Sequence, residues 1–96
     1  MAVLTESDIQ QKLKSIPEWK LEGGEIVRVY VFHDFLHSLQ FVNLIGEKAE
    51  DMGHHPDIDI RYNKVRLALI SHDAGGLTDA DFALAAASDM VFGPAS

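Results

Sequence analysis

Histidine and carboxylate side chains gather between residues 50 and 81, and they are the groups in this chain best suited to moving protons. Three of the five histidines, His54, His55 and His72, fall within nineteen positions. An imidazole can both donate and accept a proton near pH 7. Glu50 and Asp81 bracket the cluster, and Asp81 could hold or charge a histidine across a cleft. The pattern indicates acid–base chemistry on a small molecule.

Two other interpretations of these histidines stay open on the residues alone. Histidines at the ends of secondary-structure elements are common on protein surfaces. Glu50 and His54 are four residues apart and could share a metal ion, although adjacent histidines on a rigid backbone are poor at chelating one ion. His33 and His37 lack a nearby third ligand in sequence, so they are interpreted as surface residues.

The first half of the chain predicts a helix and a hairpin. Thr5 or Ser7 can cap a helix that ends near Ser15, before Pro17. Residues 19–22 and 25–32 are rich in strand-forming residues and flank a Gly-Gly pair, which predicts a hairpin.

A long second helix should follow, capped by Asp34. Its apolar residues recur at the spacing of one helical face, namely Phe35, Leu39, Val42, Ile45, Ala49 and Met52. Leu36, Phe41 and Leu44 widen the apolar surface, which indicates either a deeply buried helix or a second face packed on another subunit. Gly53 suits the left-handed residue that follows a helix.

The second half predicts another hairpin and a third helix. Ile58, Ile60 and Tyr62 alternate with polar residues, as in a strand with one buried face, and Asn63-Lys64 is a plausible two-residue turn. A strand over 65–70 and a loop over 73–76 lead to a helix capped by Thr78 that ends near Phe92. The tail over 93–96 should fray.

The element order is therefore α-β-β-α-β-β-α. Such an order predicts an α+β fold, with a four-stranded antiparallel sheet and three helices on one face. The 96 residues are expected to form a single domain, 1–96.

Composition excludes several classes of protein. The net charge of −7 argues against direct binding of nucleic acid, because phosphates demand a positive surface. The chain has no cysteine, so it can form neither a disulfide framework nor a cysteine metal site. No signal peptide is visible, and no apolar run approaches the roughly 18 residues of a membrane span. A cytoplasmic protein without membrane contact is expected.

The ordered residues of this cluster resemble a known family, the pterin-4a-carbinolamine dehydratases. The resemblance covers the chain from about Trp19 to Val91. It is carried by Glu50-x3-His54-His55-Pro56-x5-Tyr62-x9-His72-x8-Asp81, and by the segments Trp19, His33-Asp34-Phe35, Tyr62-Asn63-Lys64-Val65 and Ala74-Gly75-Gly76-Leu77-Thr78. Two positions differ from some members, which carry an aspartate where Gly53 stands and an aromatic residue where Ile58 stands.

The resemblance implies a reaction and a set of residues. The reaction removes water from 4a-hydroxytetrahydropterin to give the quinonoid dihydropterin, which recycles the pterin cofactor of aromatic amino-acid hydroxylases. It implies no metal, no cofactor, and assembly as a homodimer or homotetramer. The catalytic set would be His54, His72, His55 and Asp81, supported by Glu50. The substrate-binding set would be His54, His55, Pro56, Ser71, His72 and Asp73.

Two rival functions fit the same scaffold. One is a non-catalytic protein-interaction module, similar to the family members that act as dimerisation cofactors of a transcription factor. The other is a pterin-binding or chaperone-like role in another pterin-dependent pathway. The intact histidine set favours the enzyme, because an interaction module has no need to keep three imidazoles together.

Overall fold

The computed structural model describes residues 2–93, and within them the predicted element order is confirmed. The tail over 93–96 is predicted to fray, and residues 94–96 of it lie outside the described residues. The elements are α1 (Glu6–Leu13), β1 (Lys20–Glu22), β2 (Glu25–Val31), α2 (Phe35–Met52), β3 (Asp57–Arg61), β4 (Lys64–Leu69) and α3 (Asp79–Phe92). No helix in this part of the chain is long and apolar enough to cross a membrane.

The four strands form one antiparallel sheet in the order β1-β2-β4-β3. Alternate residues of the central strands face the helices and are buried, as the two-residue period of a strand requires. The core between sheet and helices contains Ile26, Tyr30, Val65, Leu67 and Leu69 from the strands, and Phe41, Ile45, Ala49, Phe82, Leu84 and Ala85 from the helices. The α+β fold with helices on one face is therefore confirmed.

The second hairpin corrects one predicted turn and one predicted face. Arg61 pairs with Lys64, so the two-residue turn is Tyr62-Asn63 and not Asn63-Lys64. Asn63 is held there because its backbone carbonyl and its side-chain amide both bond to the backbone of Phe32. Tyr62 has a φ of 53° and is exposed, and Ile58 is also exposed. The prediction that Ile58, Ile60 and Tyr62 form a buried face is wrong at two positions, because β3 is an edge strand and Tyr62 lies in the turn.

The buried stripe of α2 also differs from the predicted one. The buried residues are Ser38, Phe41, Ile45 and Ala49, whereas Phe35 and Met52 at the ends of the predicted stripe are exposed. Ser38 tolerates burial because its hydroxyl donates to the backbone carbonyl of Asp34, which satisfies the polar group. Hydrophobicity alone could not identify a serine as a core position.

The three residues that widen the apolar surface of α2 lie partly in the core and partly on the surface. Phe41 belongs to the core of this chain, while Leu36 and Leu44 are 60% and 48% exposed. A single subunit therefore uses one of the three and leaves two uncovered.

Caps define the helix ends as the sequence predicts. Thr5, Asp34 and Thr78 each accept a hydrogen bond from a backbone N–H in the first turn of α1, α2 and α3. Hydrogen bonds from the backbone and ring of His37 lower the pKa of the Asp34 carboxyl. His37 and His33 lie on the surface, as predicted.

A polar network ties α3 to the sheet on the core side. Asp89 Oδ1 accepts hydrogen bonds from Trp19 Nε1 at 3.0 Å, Arg28 Nη1 at 2.7 Å and Tyr30 Oη at 2.5 Å. The Arg28 guanidinium also lies over the Tyr30 ring, 4.2 Å from its centroid. Burial and the hydrogen bond to Asp89 raise the pKa of the Tyr30 phenol, which keeps it a donor.

Gly53 gives a test of the turn that leads into the histidines. Its φ of 62° lies in the left-handed region, so Gly53→Ala should lower the free energy of unfolding by about 1 kcal/mol. Gly46 is the matched control. It lies inside α2, and an added Cβ would meet no atom within 4 Å, so Gly46→Ala should raise the free energy of unfolding by about 0.5–1 kcal/mol. Urea unfolding measures both, and equal effects of the two variants would contradict this account.

Candidate active site

A cleft of about 560 Å³ opens where the end of α2, the exit of β4 and the start of α3 meet. Its volume lies within the range of small-molecule sites. The lining contains both polar and apolar groups, and consists of Met52, Gly53, His54, His55, Ile70, Ser71, His72, Asp73, Ala74 and Ala80.

The two adjacent histidines after the end of α2 point in different directions. The left-handed Gly53 closes the helix, and the His54 N–H returns to the carbonyl of Ala49 at 3.1 Å. The His54 side chain turns inward and is 17% exposed, whereas that of His55 is 63% exposed. His55 Nε2 contacts the Glu50 carboxylate on the surface. The two imidazoles therefore have different environments although they are neighbours in sequence.

A buried carboxylate holds the inward histidine. His54 Nε2 lies 2.5 Å from Asp81 Oδ1, and the Asp81 side chain is fully buried. Asp81 Oδ2 accepts hydrogen bonds from the Ser71 hydroxyl at 2.8 Å and from the Thr78 backbone N–H at 2.9 Å. Asp81 lies in the first turn of α3, where the helix dipole favours a negative charge. These contacts explain how a carboxylate can be buried at this position.

The loop after β4 presents the third histidine. Ser71 and Gly76 are paired across the loop, and the Ser71 carbonyl accepts from the N–H groups of Ala74 and Gly75. His72 and Asp73 lie at the start of this loop and are exposed toward the cleft. None of the residues 2–93 forms a hydrogen bond with the His72 ring. His72 is thus held by the loop backbone and not by a side-chain partner.

The structure brings most of the predicted site residues to one cleft. His54, His55, Ser71, His72 and Asp73 line it. Asp81 lies behind His54, and Glu50 contacts His55 from the surface. Pro56 is not among the lining residues. The catalytic and binding roles of these eight residues stay predictions.

Thr78 is the site residue that sequence reasoning did not identify beyond its capping role. Its hydroxyl lies 2.8 Å from the Ser71 hydroxyl and also accepts from the Ala80 N–H. A threonine three residues before an aspartate is a visible signal for a capping box. The contact with Ser71 has no such local signal, because it joins the end of one strand to the start of a helix.

The arrangement suits proton transfer. His54 contacts a buried carboxylate, and His72 lines the same cleft without a side-chain hydrogen bond to residues 2–93, so the cleft holds two imidazoles in different surroundings. Among residues 2–93, no group of three His, Asp or Glu side chains is placed to hold a metal ion.

Comparisons with known proteins show which family this chain is similar to. The family model for pterin 4 alpha carbinolamine dehydratase matches residues 2–91. A protein of Acidobacterium capsulatum named "Putative pterin-4-alpha-carbinolamine dehydratase" is 61% identical over 91 residues, which cover 95% of this chain and 99% of that protein. A protein of the same name from Chloroflexus aurantiacus is 54% identical, with 97% of this chain and 100% of that protein covered.

Two solved structures share the fold. The crystal structure of a transcriptional coactivator/pterin dehydratase from Brucella melitensis matches with a TM-score of 0.90 and 30% identity, over 95% of this chain and 99% of the other. A pterin dehydratase-like protein identified as a RuBisCO assembly factor in the alpha-carboxysome matches with a TM-score of 0.65 over 80% and 89%, and its 20% identity shows the fold alone. The match to the family model over almost the whole chain, together with these identities, shows that the chain belongs to the pterin 4 alpha carbinolamine dehydratase family.

Proposed function

We propose that this protein removes water from a 4a-hydroxytetrahydropterin and releases the quinonoid dihydropterin, with histidines as the acid and the base. The observation that carries the proposal is the cleft itself, in which His54, backed by a buried carboxylate, shares the lining with His72. Membership of the dehydratase family supports the same reaction.

The chemistry requires two proton transfers. The bond between carbon 4a and its hydroxyl oxygen breaks, and the departing oxygen takes a proton from an acid and leaves as water. The neighbouring ring nitrogen gives its proton to a base, and a carbon–nitrogen double bond forms. Two imidazoles can divide these tasks, because each can carry or lack a proton near neutral pH. His54 and His72 are the proposed pair, with His55 as a substrate-binding residue.

Orientation supplies much of the remaining catalysis. A carbinolamine is already reactive, so modest acid–base help in a fixed geometry suffices. The apolar lining residues Met52, Ile70 and Ala80 would contact the flat faces of a bicyclic ring, and Asp73 would contact its polar edge.

The decisive experiment is a direct assay. Purified protein is mixed with 4a-hydroxytetrahydropterin generated in place by an aromatic amino-acid hydroxylase, and quinonoid dihydropterin is followed by its absorbance. A rate clearly above the spontaneous dehydration supports the proposal. A rate equal to the spontaneous one, at protein concentrations up to the micromolar range, would contradict it.

We propose that an aromatic amino-acid hydroxylase is also the source of the substrate in the cell, in a cytoplasmic pathway that recycles the pterin cofactor.

Activity should survive exhaustive chelation. The chain has no cysteine, and adjacent histidines chelate one ion poorly. The assay is repeated after dialysis against a strong chelator, with metal content measured by mass spectrometry. Stoichiometric zinc, with activity lost on its removal and restored on its return, would contradict the metal-free reaction.

We also propose that the chain forms a homodimer or a homotetramer. Leu36 and Leu44 expose an apolar face of α2, and β3 leaves one edge of the sheet unpaired. A second copy can cover both surfaces, and a 96-residue domain gains stability from the added burial.

Light scattering at micromolar concentration tests the assembly. The expected mass is two or four times the 10.6 kDa of one chain. Leu36→Glu with Leu44→Glu places charges on the exposed face of α2 and should reduce the mass if that face is an interface. A mass near 10.6 kDa for the unaltered protein would contradict the proposal.

A further inference from the structure

We propose that Ser71 and Thr78 are positioning residues, which lock the Asp81 carboxylate so that His54 keeps its proton on Nε2 and offers Nδ1 to the substrate as the base. The kinetic part of this inference rests on the proposed dehydratase function. The structural part concerns the tautomer of one histidine and stands without it.

The directions of the hydrogen bonds follow from counting protons. Ser71 has one hydroxyl proton, and it points to Asp81 Oδ2 at 2.8 Å. The 2.8 Å contact between the Ser71 and Thr78 hydroxyls must then use the Thr78 proton, with Ser71 as acceptor. The Ala80 N–H donates to the Thr78 oxygen, which leaves the Thr78 proton free to do so. The Ala80 N–H therefore donates to Thr78, the Thr78 hydroxyl donates to Ser71, and the Ser71 hydroxyl donates to Asp81.

Counting protons in the same way shows which atom holds the proton between Asp81 and His54. Oδ2 receives two donors, the Ser71 hydroxyl and the Thr78 backbone N–H, so it carries no proton itself. Oδ1 faces His54 Nε2 at 2.5 Å. Because an imidazole holds a proton more tightly than a carboxylate does, the proton of this contact belongs to Nε2. A neutral His54 must then have an unprotonated Nδ1.

An imidazole held in this way is suited to accept a proton. None of the residues 2–93 forms a hydrogen bond with His54 Nδ1, and His54 lines the cleft. When Nδ1 takes the proton of the substrate ring nitrogen, the positive charge of the imidazolium lies against the buried negative charge of Asp81. His72 has no carboxylate partner among these residues, so the role of acid to the departing hydroxyl falls to it. The proton accepted at His54 and the proton given by His72 balance the loss of water.

Ser71 accordingly acts through Asp81 and does not donate a proton to the substrate. Its single proton is already used, and its oxygen already accepts from Thr78. Ser71 therefore has no proton left to donate to the substrate, and only its second lone pair remains unused in these contacts.

Asp81→Asn gives the sharpest test, because the two donors at Oδ2 force the orientation of the new amide. The carbonyl oxygen must face Ser71 and Thr78, so the amide nitrogen must face His54 and donate to Nε2. His54 is then driven to the opposite tautomer, with its proton on Nδ1. A catalytic histidine in the wrong tautomer loses activity although the site geometry is intact. We expect kcat to fall roughly 10²–10⁴-fold.

Nitrogen-15 NMR of histidine-labelled protein reads the tautomer directly, at a pH where the ring is neutral. The expected result is Nε2–H in the unaltered protein and Nδ1–H in Asp81→Asn. Asp79→Asn is the matched control, since it makes the same change in the same helical turn on an exposed side chain, and it should leave both tautomer and kcat unchanged. Nδ1–H in the unaltered protein would overturn the inference, and that measurement requires no variant to fold.

Kinetics separates positioning from substrate binding at Ser71 and Thr78. Ser71→Ala should lower kcat roughly 10-fold or more with KM little changed, because an interaction that orients the base is lost. Thr78→Ser should retain more of kcat than Thr78→Val, because it keeps the hydroxyl that donates to Ser71. A raised KM with unchanged kcat for Ser71→Ala would overturn its positioning role. An inactive protein with His54 as Nε2–H would instead contradict the proposed function and leave the tautomer assignment standing.

Discussion

Replacing His54 and His72 together by alanine should nearly abolish dehydration. Each single change, His54→Ala or His72→Ala, is expected to lower kcat roughly 10²–10⁴-fold, because each imidazole carries one proton step. The double variant should approach the spontaneous rate, with an effect smaller than the product of the two because the pair acts as a unit. Steady-state kinetics with 4a-hydroxytetrahydropterin measures all three.

The controls distinguish lost chemistry from lost structure. His33→Ala removes an exposed imidazole far along the chain from the cleft residues and should leave kcat unchanged. Free imidazole should restore part of the activity of His72→Ala, because His72 is exposed and lines the cleft. His55→Ala should mainly raise KM. Equal kinetic effects at His54 and His55, with none at His72, would contradict the proposed roles.

The largest loss of stability outside the apolar core is expected for Asp89→Ala. The change removes the acceptor of three donors at once, from Trp19, Arg28 and Tyr30. It also leaves the Arg28 guanidinium, which is 14% exposed, without its counter-charge. A buried donor left without an acceptor costs about 1–3 kcal/mol, and a buried charge left without its partner costs more. We therefore expect the free energy of unfolding to fall by about 2–4 kcal/mol. Urea unfolding followed by Trp19 fluorescence measures it.

Asp79→Ala is the matched control for that experiment. It removes a carboxylate from the same helix, in an ion pair with Lys12 at 3.0 Å, but the Asp79 side chain is 73% exposed. Exposed ion pairs contribute little, so the expected loss is below about 1 kcal/mol. Equal losses for Asp89→Ala and Asp79→Ala would show that the network of Asp89 does not stabilise the fold.

Local signals in the sequence predicted the helices and strands and where most of the helices begin or end. Side-chain caps at Thr5, Asp34 and Thr78 mark helix starts by bonding to backbone a few residues away, so the information is contained in a short window. Gly53 marks a helix end for the same reason, since only its own φ is at issue. Strand alternation predicted the two hairpins and hence the sheet.

The same local signals failed where a distant partner decides the outcome. Asn63 is fixed in the second turn by the backbone of Phe32, which no window around residue 63 contains. Ile58 is exposed because its strand lies at the edge of the sheet, and the order of strands is a property of the whole fold. In α2, a serine with an internal hydrogen bond replaced an apolar residue in the buried stripe.

For the site, the sequence by itself determined which side chains could move protons, and the resemblance of their spacing to a family indicated the reaction that we propose for them. Only the tertiary structure decided how they are paired. His54 and Asp81 are 27 residues apart and meet because the end of α2 and the start of α3 converge at the exit of β4. Adjacent histidines separate because the left-handed Gly53 turns one ring inward and leaves the other in solvent. Residue type fixes what a group can do in a reaction, whereas its partners depend on contacts between elements that sequence periodicity does not specify.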